Sequence, residues 1–207
     1  MYKILFNTIE NPSVKRCYDS LKEEGHEVFV LPKGFYKDAI KEEISKMGIT
    51  PDMLVLSFDK GIFEDININK EFSEIVDFEA LTETVAHYAS VILEAAEGSI
   101  EALRKGSLKR IALLTKETSS VRENSDTAGY PENMAMAAAN MVMKILFNKY
   151  RPEGFTFRCF ADDEKIHGIE ASEYFLTEQS FIETDAYIHS DENRLVMRNG
   201  QLREITF

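Results

Sequence analysis

The chain has 207 residues, 44% of them hydrophobic and 29% charged, which is ordinary for a globular domain with a buried core. Its formal net charge is −12, from 36 acidic and 24 basic residues. A surface of that sign repels phosphate groups, so nucleic acid and anionic membranes are excluded as expected partners.

The first part of the chain alternates predicted strands with predicted helices. Short β-rich runs occupy residues 2–7 and 28–31, and residues 13–24 between them carry apolar side chains at helical spacing. A short helix is predicted around residues 36–47, and a third apolar strand follows at residues 52–58. The second and third runs show little polar alternation, which is typical of a parallel sheet covered on both faces.

The rest of the chain continues the alternation. From residue 77 to about residue 105, apolar side chains recur every three or four positions and predict one long amphipathic helix. The next buried strand is "RIALLT" at 110–115, followed by a polar loop, an apolar helix at 131–149 and the strand "GFTFRCF" at 154–160. This order predicts an α/β fold with one doubly wound parallel sheet, and a single domain over residues 1–207.

Three consecutive segments share their order and length with a known family. They are "KRIALLT", "YPENMAMAAANMVMKIL" and "RPEGFTFRCF". They resemble the short-chain dehydrogenase/reductases, in which a strand ending in a catalytic serine precedes Tyr-x-x-x-Lys at the start of a helix. The similarity of layout extends over most of the chain. The resemblance implies a Rossmann-like fold, NAD(P)-dependent oxidoreductase chemistry and a catalytic role for Tyr130.

Several motifs of that family are absent from this sequence. The family's glycine-rich turn aligns with "NTIENPSV" at residues 7–14, which has no glycine and carries an acidic residue, Glu10. Those glycines let the backbone approach the pyrophosphate of a dinucleotide. Met134 stands where the family has the lysine that lowers the tyrosine pKa and holds the nicotinamide ribose. The stretch between residues 31 and 52 is also too short for a helix, a strand and a second helix, so we expect the region between the family's second and fourth strands to be shortened.

The candidate catalytic residues are Tyr130, Thr115 and Lys116. Pro131 suits the first helical position, so Tyr130 is expected at the N-cap, facing the crevice at the carboxyl ends of the strands. Alignment with the family places the catalytic serine at Thr115 or Lys116. Thr115 could supply a hydroxyl and Lys116 an ammonium near Tyr130. The alternative is that Lys116 is a solvated loop residue and Thr115 the end of a strand.

These observations leave three functions open. The favoured hypothesis is a pseudoenzyme, a binding or assembly module that has lost NAD(P)-dependent catalysis. The second is an active, atypical NAD(P)-dependent oxidoreductase that uses Tyr130 with Thr115 or Lys116. The third is a non-redox enzyme that uses the acidic crevice, including the loop at 161–168. That loop is interpreted as a charged surface loop, and no metal site is predicted.

The predicted partner is another copy of the chain. The helix at 131–149 is apolar on nearly every side, so it must be covered on more than one face. The resemblance implies a homodimer or homotetramer through the helices at 77–105 and 131–149, because family members commonly pair these two helices between subunits.

The sequence also predicts a cytoplasmic location. The apolar patch near the N-terminus is too short for a signal-peptide core, and no apolar run approaches the length that spans a membrane. Cys17 and Cys159 are expected to be buried thiols, since they are far apart and have no neighbours at metal-ligand spacing.

Overall fold

A computed structural model of the chain describes residues 1–32, 36–58, 78–125, 129–162, 168–177, 181–184, 187–190 and 194–207. In chain order its strands and helices are β1 (Lys3–Phe6), α1 (Pro12–Glu23), β2 (Glu27–Val30), α2 (Lys37–Met47), β3 (Met53–Leu56), α3 (Phe78–Leu103), β4 (Arg110–Thr115), α4 (Tyr130–Tyr150), β5 (Thr156–Ala161), α5 (Ala171–Leu176), β6 (Phe181–Thr184), β7 (Tyr187–Ser190), β8 (Met197–Arg198) and β9 (Glu204–Ile205).

Seven of the strands form one sheet in the order β2-β1-β3-β4-β5-β8-β9, and β6 and β7 form a separate antiparallel hairpin. All neighbours in the sheet are parallel except β8 and β9. The chain adds β2 on one side of β1 and then crosses to β3 on the other, so the strand order reverses between β1 and β3. The predicted doubly wound α/β fold is confirmed.

Helices cover both faces of the sheet. One core packs side chains from α2, α3 and α4 against alternate strand residues such as Leu5 and Leu54. A second core packs α1 and α5 against the intervening residues, such as Ile4 and Val55. Every residue of β3 and β4 is buried, which explains their unbroken apolar runs.

On one side, the sheet of described residues has a single strand, β2, beyond β1. Among the described residues, β2 is the outer strand, and one helix, α2, connects it to β3. This agrees with the shortened region that the sequence predicts. Cys17 and Cys159 are buried, and they lie in the cores on opposite faces of the sheet. No described helix is both long and apolar enough to cross a membrane.

The start of α4 corrects one prediction. Gly129, not Tyr130, is the N-cap residue, and Tyr130 is the first residue of the helix. The backbone of Gly129 has a φ of 72°, a left-handed conformation that glycine adopts without steric cost. The backbone N–H of Asn133 donates to the Gly129 carbonyl at 3.1 Å, so the helical hydrogen bonds begin there.

The C-terminal part of the chain contains two hairpins that the sequence did not predict. One is formed by β8 and β9, because the chain reverses at residues 199–203. The other is formed by β6 and β7.

Candidate functional site

The candidate site is the crevice at the carboxyl ends of β1, β3, β4 and β5. Asn7 follows β1, Ser57 follows β3, Thr115 ends β4 and Asp162 follows β5. The carboxyl ends of parallel strands meet at one edge of a sheet, and ligands of such folds bind there, near the reversal of strand order. The reversal between β1 and β3 places Asn7 and Ser57 at the centre of this crevice.

Asn7 and Ser57 close the floor of the crevice. The Asn7 side-chain Nδ2 donates to the Ser57 carbonyl at 2.9 Å, and its Oδ1 accepts from the Ser57 backbone N–H at 2.8 Å. The Ser57 hydroxyl donates to the Leu114 carbonyl at 3.1 Å. All three residues are buried. The Asn7 amide therefore holds the ends of β1 and β3 together and uses both of its polar atoms to do so.

In the turn after Asn7, side chains accept hydrogen bonds from backbone N–H groups of the same turn. The Thr8 hydroxyl oxygen accepts from the Glu10 N–H at 3.3 Å, and Asn11 Oδ1 accepts from the Ser13 N–H at 3.0 Å. Pro12, the first residue of α1, has no N–H. A helix N-terminus binds phosphate through free N–H groups. In this turn the N–H groups of Glu10 and Ser13 are already hydrogen-bonded and Pro12 has none, so the turn does not fit the pyrophosphate of a dinucleotide.

An ion pair lies beside this turn. Arg16 Nη2 donates to Asp162 Oδ2 at 2.9 Å and to the Ser13 hydroxyl at 3.0 Å, which joins the start of α1 to the end of β5. Asp162 thus compensates the charge of Arg16, the arginine that lies closest to the turn in sequence. Residues 163–167 of the predicted acidic loop lie outside the described residues. In the described part of the chain, no three histidine, cysteine or acidic side chains are grouped as they would be around a metal ion.

The structure places Thr115 and Lys116 in different surroundings. Thr115 is buried, and its hydroxyl lies 3.8 Å from the sulfur of Met136 on α4. Lys116 is about half exposed, and its Nζ donates to Glu132 Oε1 at 2.7 Å. Glu132 is in the first turn of α4, two residues after Tyr130. The Lys116 ammonium therefore lies at the start of α4, where it is held in an ion pair. The side chain of Tyr130 lies outside the described part of the structure.

The loop after β4 is packed, and the residues that fix it were missed in the sequence. Asn140 Nδ2 donates to the Ser119 hydroxyl at 2.9 Å, and that hydroxyl donates to the Lys116 carbonyl at 2.7 Å. Both side chains are buried. Asn199 Nδ2 also donates to Glu117 Oε1 at 2.7 Å, so the C-terminal hairpin contacts the same loop. The one signal in the sequence is Asn140 itself, a polar residue among the alanines and methionines of α4.

Part of the chain is similar in sequence to a curated protein, although no family model matches the chain. Over 80 residues the chain is 32% identical to C-signal of Myxococcus xanthus, a match that covers 39% of this chain and 48% of C-signal. The chain thus spans about half the length of the curated relative that it matches.

Several solved structures match over nearly all of both chains, among them these two. One is assigned as the carbonyl reductase Sniffer of Caenorhabditis elegans, with a TM-score of 0.72, 10% identity and 99% of each chain covered. The other is assigned as a short-chain dehydrogenase/reductase from Burkholderia multivorans with bound NADP, with a TM-score of 0.63, 10% identity and 100% of each chain covered. The chain therefore has the Rossmann-like fold of the short-chain dehydrogenase/reductase structures.

Proposed function

We propose that this protein is a binding or assembly module with a Rossmann-like fold that does not carry out NAD(P)-dependent catalysis. The observation that carries the proposal is the turn between β1 and α1. In dinucleotide-binding proteins of this fold, the backbone of this turn approaches the pyrophosphate, which lies at the N-terminus of the following helix. Here Asn7 and Asn11 use their side chains on the protein's own backbone, and Pro12 removes one donor.

Charge at the turn adds to the proposal. Glu10 is exposed within the turn, and Arg16 is paired with Asp162. A dinucleotide would bring phosphate charge next to the Glu10 carboxylate, and the Arg16 guanidinium already has an anionic partner. Like charges at close range oppose binding, and a paired arginine gains less from a new anion than a free one.

The start of α4 lacks the pair of groups that acid–base catalysis needs. A tyrosine with a pKa of about 10 is a poor proton donor or acceptor near pH 7 unless a cation lowers its pKa. Met134 cannot do this, and the Lys116 ammonium lies in an ion pair with Glu132. The carboxylate offsets the field that Lys116 would exert on a neighbouring phenol.

Nucleotide binding is tested by thermal unfolding of the protein with NAD(H) and NADP(H). A ligand present at about 100 times its Kd stabilises the folded state by about 2.7 kcal/mol. For a domain of this size, that is a rise in Tm of several degrees, at about 2–4 °C per kcal/mol. We expect no rise at 1 mM of any of the four nucleotides.

A reductase of the same fold that binds NADP serves as the positive control in the same buffer. A specific rise in Tm with one nucleotide, confirmed by calorimetric titration, would contradict the proposal. It would favour instead an atypical oxidoreductase, whose activity should then fall in Tyr130→Phe.

The assembly part of the proposal rests on the outward face of α4. Met134, Met141 and Ile145 are 48%, 60% and 54% exposed. Spacings of seven and four residues put them on one stripe of the helix. Leu93, on the neighbouring helix α3, is 41% exposed. We propose that this apolar stripe packs against the same stripe of a second copy, because a two-fold axis brings like surfaces together and would bury these side chains.

Light scattering coupled to size exclusion tests this interface at micromolar concentration. The double variant Met141→Lys with Ile145→Lys should have a lower mass than wild type, because lysines of the two copies would repel each other in this interface. Val121→Lys is the matched control, because Val121 is 81% exposed and lies outside the stripe. A wild-type mass equal to the monomer, 23.7 kDa, would rule the interface out.

A further inference from the structure

Strand β2 forms one edge of the seven-stranded sheet. Within the described residues, β1 is the strand that pairs with it. Val28, Phe29 and Val30 are apolar, yet each is only partly buried. An edge strand of apolar residues is a template for another strand, because its outward N–H and C=O groups can continue the hydrogen-bond ladder.

The direction of the β2 backbone follows from its contacts with β1. The N–H of Glu27 donates to the Tyr2 carbonyl at 3.0 Å, and the N–H of Leu31 donates to the Phe6 carbonyl at 2.8 Å. Successive residues of a strand direct their backbone groups to opposite sides. The N–H and C=O groups of Val28 and Val30 therefore point away from β1, to the edge that no other described strand pairs with.

This arrangement is self-complementary. A two-fold axis at Phe29 sets Val28 opposite Val30 of the second copy, and the outward groups of these residues can exchange both hydrogen bonds of an antiparallel pair. Phe29 then faces its own copy in a non-hydrogen-bonded position, where side chains lie closest and aromatic pairs stabilise a sheet. Glu27 faces Leu31, so the acidic residue of one strand does not oppose its copy.

The other edge of the sheet is less suited to pairing. It is formed by β9, which has two residues, and Glu204 in that strand pairs with Arg194. Short, charged edges resist the addition of a strand. We infer that β2 pairs in antiparallel fashion with β2 of a second copy, so that one continuous sheet crosses both subunits.

The variant Val30→Pro tests this inference. Proline removes the outward N–H of residue 30 and leaves the bond from Leu31 to β1 in place, and edge strands tolerate proline. We expect the mass in light scattering to fall by half, compared with wild type at the same concentration. Val30→Thr is the matched control, since it is β-branched and keeps the N–H, and its mass should equal that of wild type.

Hydrogen exchange of the wild-type protein gives a second measurement that does not depend on the folding of a variant. The amides of Val28 and Val30 should gain protection as the concentration rises through the range in which the chain associates. The amide of Leu31, which is bonded to β1, should not change. Protection that is the same at every concentration, with an unchanged mass for Val30→Pro, would overturn the inference. So would protection that appears only when another protein is added, because the strand would then bind a different partner.

Discussion

The carboxylate of Asp52 joins three segments at the amino ends of the strands. It accepts hydrogen bonds from the Lys3 N–H at 2.8 Å and from the Ser107 N–H and hydroxyl at 2.7 and 2.8 Å. Burial of the carboxylate would raise its pKa, but the hydrogen bonds from Lys3 and Ser107 outweigh burial, and the pKa of Asp52 is lowered. This pKa is lower in the folded state than in the unfolded state. The charged carboxylate therefore stabilises the fold above about pH 4, and this stabilisation is lost as the pH falls through the folded-state pKa.

Asp52→Asn should lower the free energy of unfolding by about 1–3 kcal/mol at pH 7, because hydrogen bonds to a charged acceptor are replaced by a neutral amide with one acceptor atom. Urea denaturation at pH 7 and at pH 3 measures the effect, and the difference from wild type should shrink at the lower pH. Asp38→Asn is the control, since that side chain is 92% exposed. Equal stability of the Asp52 and Asp38 variants at pH 7 would contradict the assignment.

At the scale of elements, α3 holds the helical layer together. Glu94 Oε2 accepts from the N–H of Lys37 at the start of α2, at 2.6 Å. Glu97 Oε1 accepts from Lys149 Nζ at 2.6 Å and from the Tyr150 hydroxyl at 2.7 Å, both at the end of α4. Burial would raise the pKa of Glu97, but the hydrogen bonds from Lys149 and Tyr150 lower it. Two acidic side chains, one helical turn apart, thus fix α3 against both of its neighbours.

Gly98 sets how closely α2 approaches α3. A Cβ atom at this position would lie 2.7 Å from Ile40 Cβ and Cγ2 and 2.9 Å from the Lys37 carbonyl oxygen. In an exposed helix, glycine to alanine would stabilise by about 1 kcal/mol. Here the steric overlap exceeds that gain, because the Lys37 contact is with backbone.

We expect Gly98→Ala to lower the free energy of unfolding by about 1–3 kcal/mol, the usual range for overpacking. Urea denaturation measures the change. Ser90→Ala, on the exposed side of α3, controls for helix propensity and should be neutral or slightly stabilising. A stabilised Gly98→Ala would mean that α2 can move away from α3 without cost.

The central elements were predictable because their burial is uniform. Strand β4 was predicted at its observed bounds, since all six residues from Arg110 to Thr115 are buried and the run has no helical period. The β6–β7 hairpin was missed because "FIETDAYIHS" mixes apolar and polar residues and carries no Asn-Gly or Gly-rich turn. The N-cap of α4 was predicted one residue late, because proline is accommodated at the second helical residue as well as the first, and here Pro131 follows Tyr130 within the helix.

The contacts of the candidate site could not be predicted from the sequence, because they join residues that are far apart along the chain. Asn7 and Ser57 are 50 positions apart, and Arg16 and Asp162 are 146 apart. Each pair meets only because the sheet aligns the ends of β1, β3 and β5. The loss of the glycines was readable from the sequence. The hydrogen bonds between the Asn7 side chain and Ser57 depend on the register of β1 and β3, which the sequence does not specify.

At the scale of the whole molecule, the two proposed interfaces lie on different surfaces. The apolar stripe is on the outward face of α4, and the open edge is the β2 side of the sheet. Each proposed contact is isologous, because the same residues meet on both subunits. Two isologous contacts whose two-fold axes intersect at right angles close into a tetramer of dihedral symmetry.

A combined variant separates these outcomes. Val30→Pro alone should leave a dimer held by α4, and Met141→Lys with Ile145→Lys should leave a dimer held by β2. All three substitutions together should give the monomer of 23.7 kDa, because neither interface then remains. Sedimentation velocity at several micromolar concentrations measures the three species and the wild-type tetramer from which they derive. If either set of substitutions alone produces the monomer, then the other contact does not form by itself, and the closed tetramer must be replaced by a dimer built on one interface.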